Sequence, residues 1–148
     1  MTTITRHEEF EAAHVLDGYD GPCGNLHGHT YKFEITLAGS TPNDFGFICD
    51  FNVVKKIMKE VLPDHRFIAN ECNVDRGGLE YDIVQMLKKY NREYVLYPFS
   101  PSAENMVRYF ATEIQSKFYS NESTKGIRVV HAKLWETTNS FAEWNRYD

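Results

Sequence analysis

Hydrophobic and polar residues alternate along several stretches of the chain, and this period of two predicts β-strands. Residues 3–15 form the first such stretch, in which His14 falls on the same side as Phe10 and Ala12. Residues 29–38 alternate most regularly. Further strands are predicted at residues 45–49, 94–97, 127–136 and 141–144, and a turn is predicted at residues 39–44.

Apolar residues at helical spacing predict two long helices. Asp50 is placed to cap the first helix, and Pro63 ends it. Ser102, or the Ser-Pro pair before it, begins the second. The apolar stripes consist of Phe51, Val54, Ile57, Met58 and Val61 in the first helix, and of Met106, Val107, Phe110, Ala111, Ile114 and Phe118 in the second. A further helix is possible at residues 79–90.

The order of these elements predicts an α+β domain. Strands come first and last with helices between them, which favours a largely antiparallel sheet covered on one face by helices. The chain has 148 residues, close to the common size of one domain, and it contains no internal repeat or linker. We therefore expect residues 1–148 to form a single domain, so that any enclosed pocket is built on one small scaffold or shared between subunits.

Composition and charge narrow the class of protein. The chain has 16 Lys and Arg residues against 21 Asp and Glu residues, and its net charge of −5 argues against a nucleic-acid partner. No stretch approaches the roughly 18 consecutive apolar residues of a membrane span, and residues 1–6 lack the apolar core of a signal peptide. The three cysteines form neither an even disulfide framework nor a C-x-x-C pair. The sequence therefore predicts a soluble cytoplasmic protein without a membrane partner.

Three histidines form the densest group of chemically active residues. His27 and His29 are two positions apart at the start of a predicted strand, so their side chains point to the same side. His14 on a neighbouring antiparallel strand can complete a face of three ring nitrogens. Three histidine ligands with an open fourth position are typical of a catalytic zinc site, whereas structural sites usually close with four Cys or His ligands.

Cys23 lies four residues before His27 on a glycine-rich loop. A thiol near a divalent cation gains thiolate character, and a thiolate serves as a base or a nucleophile. The alternative is that Cys23 is a fourth zinc ligand, which would close the site and abolish catalysis. The residues alone leave both roles open.

Three carboxylates are further candidates. Asp64 precedes His65 after the first long helix, and a carboxylate beside an imidazole fixes its tautomer and raises its basicity. Glu104 lies in the first turn of a helix, where the helix dipole alone accounts for an acidic residue. Glu136 ends a predicted strand, either as a charge at the sheet edge or as an acceptor for the guanidine-like edge of a planar 2-amino-4-oxo heterocycle.

Five motifs together resemble the 6-pyruvoyltetrahydropterin synthase and 6-carboxytetrahydropterin synthase family. They are, in family order, Phe10-x-Ala12-x-His14, Cys23-x3-His27-Gly28-His29, Asp64-His65, Pro101-Ser102-x-Glu104-Asn105 and Trp135-Glu136-Thr137. The resemblance implies the tunnelling fold (T-fold), with an antiparallel four-stranded sheet and two long helices on one face. It also implies barrel-like trimers that stack into a homohexamer, with active sites at the subunit interfaces.

The resemblance also implies a role for the residues of each motif. The implied zinc ligands are His14, His27 and His29. The implied proton-transfer group consists of Cys23, Asp64 and His65. The implied pterin-binding residues are Glu136, as the anchor, and Ser102 and Glu104, which would line the pocket.

Spacing within the motifs favours one branch of the family. The short Cys-x3-His-Gly-His arrangement is similar to the bacterial 6-carboxytetrahydropterin synthases of queuosine biosynthesis, whereas animal pyruvoyl enzymes have a longer gap. This branch implies a zinc-dependent lyase that converts 7,8-dihydroneopterin triphosphate to 6-carboxy-5,6,7,8-tetrahydropterin, acetaldehyde and triphosphate. Two departures from the family are Ala103, where some pyruvoyl enzymes carry a hydroxyl residue, and a long segment between His65 and Pro101.

Other functions remain alternatives at this point. They are the pyruvoyl-forming activity on the same substrate, a non-catalytic zinc-bound pterin-binding protein, and a structural zinc module. The triphosphate needs positive charge, which Lys32, Arg66 or another subunit could supply.

Overall fold

Six strands and four helices make up the computed structural model, which describes residues 1–39 and 44–147. The strands are β1 (Thr3–His14), β2 (His27–Ala38), β3 (Arg66–Asn70), β4 (Tyr94–Tyr97), β5 (Arg128–Thr137) and β6 (Ser140–Asn145). The helices are α1 (Phe51–Val61), α2 (Glu71–Arg76), α3 (Leu79–Lys89) and α4 (Ala103–Tyr119). No helix in the described part of the chain is long and apolar enough to cross a membrane.

The strands form one sheet in the order β4-β3-β1-β2-β5-β6. The strands β1, β2, β5 and β6 are antiparallel neighbours, as predicted. In contrast, β3 pairs in parallel with both β1 and β4. The described sheet therefore has six strands rather than four, and it is mixed. The sequence did not predict β3 because its apolar residues are consecutive, so the strand carries no alternation.

The strand predicted at residues 45–49 is wrong. The backbone turns through this stretch, Gly46 has a φ of 86°, and Phe45 is 85% exposed. A positive φ does not fit an extended strand, and this apolar run pairs with no strand of the described sheet. Most of the turn predicted at residues 39–44 lies outside the described residues.

Helices α1 and α4 cover one face of the sheet, as predicted. The alternating residues of β1 and β2 that pack beneath them are Phe10, Ala12, Tyr31, Phe33, Ile35 and Leu37. From α4, the ring of Phe110 meets Phe10 and Phe33 edge-on. Burial of one large apolar side chain stabilises a fold by about 1.5–3 kcal/mol. This layer therefore holds the register of the two strands that carry the three histidines.

Helices α2 and α3 lie on the opposite face of the sheet. A second apolar cluster there contains Phe67 and Ala69 of β3 together with Val74 and Val84 of the two helices. Phe67 and Ala69 alternate along β3 with Ile68, which belongs to the first cluster. The structure confirms the helix predicted at residues 79–90 as α3, but the packing of a helical hairpin on the second face was not predicted.

Gln115 links α4 to the start of β5 through hydrogen bonds. The residue is buried, with 6% exposed. Its Nε2 donates a hydrogen bond to the carbonyl of Ile127 at 3.0 Å, and its Oε1 accepts one from the N–H of Val129 at 2.8 Å. Buried backbone groups need such partners.

Candidate metal centre

The three histidines converge because of strand register. His14 is the last residue of β1 and His27 is the first residue of β2, and the two are directly opposite in the antiparallel ladder. His29 lies opposite Ala12, one step further along the same face. The rings of His14, His27 and His29 have centroids 4.6–5.3 Å apart. The structure thus brings together the three residues that the sequence singled out.

Backbone carbonyls fix the tautomers of two of these histidines. His14 Nδ1 lies 2.8 Å from the carbonyl of Pro101, and His27 Nδ1 lies 2.7 Å from the carbonyl of Asn25. A carbonyl only accepts hydrogen bonds, so each Nδ1 carries the proton and each neutral ring has a bare Nε2. The two Nε2 atoms are 3.0 Å apart. Two lone pairs at this distance repel each other unless a cation lies between them.

Glu136 completes the group from β5. Its Oε1 lies 2.9 Å from His29 Nε2 and 3.5 Å from His14 Nε2. His29 Nε2 is buried and, despite this short distance, makes no hydrogen bond of acceptable geometry. One ligand atom from each of Glu136 and the three histidines lies within 4.8 Å of all the others.

Burial and contacts set the charge of the cluster. Burial lowers the pKa of His29 from its ordinary value, which favours the neutral imidazole that binds metals. The pKa of the Glu136 carboxyl is also lowered, chiefly by its contact with His14, so this group is a carboxylate at neutral pH. Burial raises the pKa of Tyr31, whose hydroxyl lies 3.4 Å from His14 Nδ1. The cluster therefore offers three imidazole nitrogens and one carboxylate oxygen.

This donor set fits a divalent metal ion. Imidazole nitrogens and carboxylate oxygens are both zinc ligands, and imidazole also binds other divalent transition metals. A single cation among the four residues would relieve both unusual features, which are the unpartnered His29 Nε2 and the facing nitrogens of His14 and His27. The residues present could therefore hold a metal ion.

Cys23 lies on the loop that joins β1 to β2, within a short 3-10 turn at Pro22–Gly24. Its carbonyl accepts a hydrogen bond from the N–H of Leu16 at 2.9 Å, and its side chain is half-buried. A Cβ on Gly24 would lie 2.3 Å from the carbonyl oxygen of Tyr19, so this tight fold of the loop needs glycine there. In the described chain, the group of converging ligand atoms does not include the Cys23 sulfur.

Asp64 and His65 lie between α1 and β3 in the chain, and their side chains contact each other beside β1. Asp64 Oδ1 accepts a hydrogen bond from the N–H of Glu11 at 2.9 Å and lies 2.9 Å from His65 Nδ1. The pKa of Asp64 is lowered, first by the Glu11 N–H and further by His65. His65 lines a surface cavity of about 640 Å³ that Gly28 and His29 also line. Within one chain, Asp64 and His65 contact each other but do not join the four cluster residues.

Ser102 and Glu104 begin α4. Ser102 is the N-cap, and its Oγ accepts a hydrogen bond from the N–H of Asn105 at 3.2 Å. Glu104 is exposed in the first turn. The direct link from this segment to the cluster is the carbonyl of Pro101, which accepts a hydrogen bond from His14 Nδ1. The sequence does not reveal this role or that of the Asn25 carbonyl, because a backbone group carries no residue-type signal.

Comparison with known proteins agrees with the resemblance drawn from the motifs. A family model described as 6-pyruvoyl tetrahydropterin synthase matches residues 3–146. The 6-carboxy-5,6,7,8-tetrahydropterin synthase of Haemophilus influenzae is 33% identical over 150 residues, which cover 97% of this chain and 99% of that protein. The protein of the same name from Rickettsia bellii is 31% identical over 147 residues, with 97% and 99% covered.

Solved structures share the fold. The 6-pyruvoyl tetrahydropterin synthase of Caenorhabditis elegans matches with a TM-score of 0.65 at 23% identity, covering 99% of this chain and 96% of that chain. An uncharacterized protein from Wolinella succinogenes matches with a TM-score of 0.70 at 21% identity, covering 99% and 98%. These likenesses confirm the predicted α+β tunnelling fold. Since the family model spans nearly the whole chain, this protein belongs to the 6-pyruvoyl tetrahydropterin synthase family of lyases.

Proposed function

We propose that this chain is a zinc-dependent 6-carboxy-5,6,7,8-tetrahydropterin synthase of queuosine or another 7-deazapurine biosynthesis. Its substrate is 7,8-dihydroneopterin triphosphate, and its products are 6-carboxy-5,6,7,8-tetrahydropterin, acetaldehyde and triphosphate. The curated relatives that carry this name support the choice, because they are 33% and 31% identical over almost the full length of this chain. The short spacing between Cys23 and His27 supports the same branch.

The observation that carries the metal dependence is the 3.0 Å approach of His14 Nε2 to His27 Nε2. In both rings, Nδ1 donates a hydrogen bond to a backbone carbonyl, so both Nε2 atoms are available to bind a metal. We choose zinc because three neutral histidines that leave a position for substrate are typical of its catalytic sites. Zinc bound there supplies a Lewis acid that lowers the pKa of the substrate's side-chain hydroxyls.

Glu136 anchors the pterin in this proposal. Its carboxylate accepts two N–H hydrogen bonds from the 2-amino-4-oxo edge of the ring, and this orients the side chain of the substrate toward the histidines. Ser102 and Glu104, at the start of α4, line the pterin pocket. Their segment also supplies the Pro101 carbonyl that orients His14, which supports a position close to the metal centre.

Cys23 and the Asp64–His65 pair transfer protons. Cys23 removes a proton from the substrate side chain as a thiolate, and Asp64 and His65 exchange protons on the other side of the substrate. The position of Cys23 on the loop between the two ligand-bearing strands supports its role. The 2.9 Å contact between Asp64 Oδ1 and His65 Nδ1 supports a paired role for those two residues.

The complete site forms only when subunits assemble. The side chains of Asp64 and His65 are 56% and 78% exposed, and neither residue belongs to the metal cluster of its own chain. We therefore propose that a neighbouring subunit supplies the pair, in trimers that stack as a homohexamer. Sedimentation of the active enzyme tests this assembly. A hexamer is expected, and a monomer with full activity would contradict it.

Identification of the pterin product tests the proposed reaction. Zinc-loaded protein is incubated with 7,8-dihydroneopterin triphosphate under anaerobic conditions, and the products are separated and identified by mass spectrometry. The expected product has the mass of 6-carboxy-5,6,7,8-tetrahydropterin. The mass of the 6-pyruvoyl product would favour the other activity named for this family. Pterin binding without turnover would favour a non-catalytic pterin-binding protein.

A further inference from the structure

Asn105 is the last residue of the motif at the start of α4, and it has no part in the proposed reaction. Its Nδ2 donates a hydrogen bond to the carbonyl of Ser100 at 3.0 Å. The next carbonyl along the chain, that of Pro101, accepts the hydrogen bond from His14 Nδ1. We propose that Asn105 is a positioning residue for the metal ligand His14 and acts through the direction of the Pro101 carbonyl. The inference rests on the proposed function for the role of the metal, and on the geometry of this turn for the role of Asn105.

The hydrogen bond to Pro101 sets the state of the His14 ring. His14 is 1% exposed and Pro101 is buried, so solvent is a poor substitute for this acceptor. The Tyr31 hydroxyl also lies near His14 Nδ1, but at 3.4 Å against 2.8 Å for the carbonyl. The outer partner of a ligating histidine fixes its tautomer and the direction of its ring. A carbonyl turned away would release the tautomer with the proton on Nε2, which cannot bind a metal.

A tight turn sets the direction of that carbonyl. The N–H of Ser102 donates to the carbonyl of Ser100 at 2.8 Å, which is the hydrogen bond of a γ-turn centred on Pro101. Proline suits this position, because its ring holds φ at about −65° and an inverse γ-turn needs about −75°. The described chain has no cis peptide bond, and in a trans peptide the C=O points opposite to the N–H. Because the Ser102 N–H points back to Ser100, the Pro101 carbonyl points away from it, toward His14.

Asn105 holds the acceptor of this turn in place. The Ser100 carbonyl accepts two hydrogen bonds, one from the Ser102 N–H and one from Asn105 Nδ2. Helix α4 in turn fixes Asn105, whose own N–H donates to Ser102 Oγ at 3.2 Å. The Ser102 carbonyl accepts from the N–H of Met106 at 3.0 Å. The turn is therefore fastened to the first turn of the helix.

Ordinary helix capping does not account for this arrangement. In a capping box, the residue three positions after the cap is Glu or Gln, and its side chain accepts a hydrogen bond from the N–H of the cap residue. Asn105 occupies that position after Ser102. Here, however, the Ser102 N–H donates to the Ser100 carbonyl, and the Asn105 amide donates to the same carbonyl. The side chain thus serves the turn before the helix rather than the N–H of the cap.

Zinc affinity tests the positioning role. Asn105→Asp keeps the shape of the side chain and places a carboxylate in the first turn of a helix, where the helix dipole favours it, but it removes the amide donor. Metal-free full-length protein is titrated with zinc against a competing chelator. The apparent Kd for zinc should rise by about three- to tenfold, the equivalent of one ordinary hydrogen bond. Asn105→Ala removes the donor without adding a charge and should change the Kd in the same direction.

The matched control is Asn52→Asp in the first turn of α1. Asn52 is exposed and lies outside the metal cluster. This variant makes the same change of charge at the start of a helix, so it should retain the zinc affinity of the wild type. Unchanged affinity in both Asn105 variants, or an equal loss in Asn52→Asp, would overturn the positioning role.

The Nδ1–H proton of His14 provides a second readout. In zinc-loaded protein with nitrogen-15 histidine, NMR follows the exchange of this proton with water. Exchange should be slow in the wild type, because the proton is buried and hydrogen-bonded, and Asn105→Asp should accelerate it. The Nδ1–H of His27, which donates to the Asn25 carbonyl, should keep its wild-type rate. Equal acceleration of both protons would show a general loss of stability and overturn the proposal. Fast exchange at His14 in the wild type would overturn it even where the variants do not fold.

These measurements separate the inference from the proposed function. If zinc affinity and proton exchange change as expected but the enzyme forms no pterin product, the positioning role stands and the proposed function is overturned. If the expected product forms but both Asn105 variants keep the wild-type zinc affinity, the proposed function stands and the positioning role is overturned.

Discussion

His14 and His27 face each other with their Nε2 atoms 3.0 Å apart, while each ring directs Nδ1 to a backbone carbonyl. The pairing follows from the register of β1 and β2, which places the two residues directly opposite each other at the end of the ladder. Since neither Nε2 carries a proton in the neutral rings, the two facing lone pairs favour a cation bound between them. The proposed metal dependence follows from this relationship.

The first prediction concerns metal content. Protein purified without chelators should contain about one zinc ion per chain, and a His27→Ala/His29→Ala double variant should contain almost none, because it loses two of the three imidazole ligands. Inductively coupled plasma mass spectrometry measures this directly. The control is His131→Ala, which removes a histidine that pairs with Glu143 outside the cluster. Retention of one metal per chain in the double variant would refute the ligand assignment.

The second prediction concerns Cys23. If its thiolate moves a substrate proton, Cys23→Ala should lower kcat by about 10²–10⁴-fold, the usual contribution of a positioned acid or base. Metal content should remain unchanged, because the Cys23 sulfur is not among the converging ligand atoms of the described residues. Cys72→Ala is the control, since Cys72 is exposed on α2. Release of triphosphate and acetaldehyde at the original rate would remove the thiol from the mechanism, and loss of zinc would favour the fourth-ligand alternative.

The third prediction concerns the pH dependence of stability. The Glu11 N–H and then His65 lower the pKa of Asp64 in the folded chain, so the folded state favours the carboxylate. The resulting stabilisation is fully present above the unfolded pKa of about 3.9 and is lost as the pH falls through the lower folded pKa. Its size should be under about 1 kcal/mol, because the side chain is 56% exposed and solvent screens it.

Urea unfolding of wild type and Asp64→Asn at several pH values measures the stabilisation that the Asp64 carboxylate contributes. The stability difference between the two proteins should shrink as the pH is lowered through the acidic range. A difference that stays constant with pH would show that the charge of Asp64 does not contribute.

The fourth prediction concerns Gln115. Gln115→Leu would leave the Ile127 carbonyl and the Val129 N–H without their side-chain partner, and an unsatisfied buried polar group costs about 1–3 kcal/mol. The free energy of unfolding should therefore fall by at least this amount. Arg108→Leu on the exposed side of the same helix should change it by no more than about 0.5 kcal/mol. Equal stability of the two variants would show that the link between α4 and β5 is dispensable.

The sequence predicted the parts of the site that depend on local periodicity. Alternation along β1 and β2 placed His14, His27 and His29 on one face, and the antiparallel register then brings them together. The cap of α1 could also be predicted, because a helix cap depends on one residue just before the helix. As expected, Asp50 accepts a hydrogen bond from the N–H of Asn52 at 2.8 Å. Such patterns repeat within a few residues, so the chain alone reveals them.

Features that depend on distant parts of the chain could not be predicted. The parallel pairing of β3 joins residues 12–14 to residues 66–68, and nothing local in either stretch indicates the partner. The contact of Glu136 with His29 lies where the pairing of β5 with β6 shifts register, and the residue types give no sign of that shift. The carbonyl of Pro101 reaches His14 across 87 positions of sequence. In each case the tertiary structure, rather than local preference, sets the geometry.

The ratio of acetaldehyde to triphosphate released from 7,8-dihydroneopterin triphosphate distinguishes the proposed reaction from its alternatives. Formation of the carboxy product removes a two-carbon fragment, whereas formation of the pyruvoyl product retains it. For the proposed enzyme we expect one acetaldehyde per triphosphate, with release abolished by removal of zinc and restored by its return. Triphosphate release without acetaldehyde, or release of both that does not depend on a metal, would contradict it.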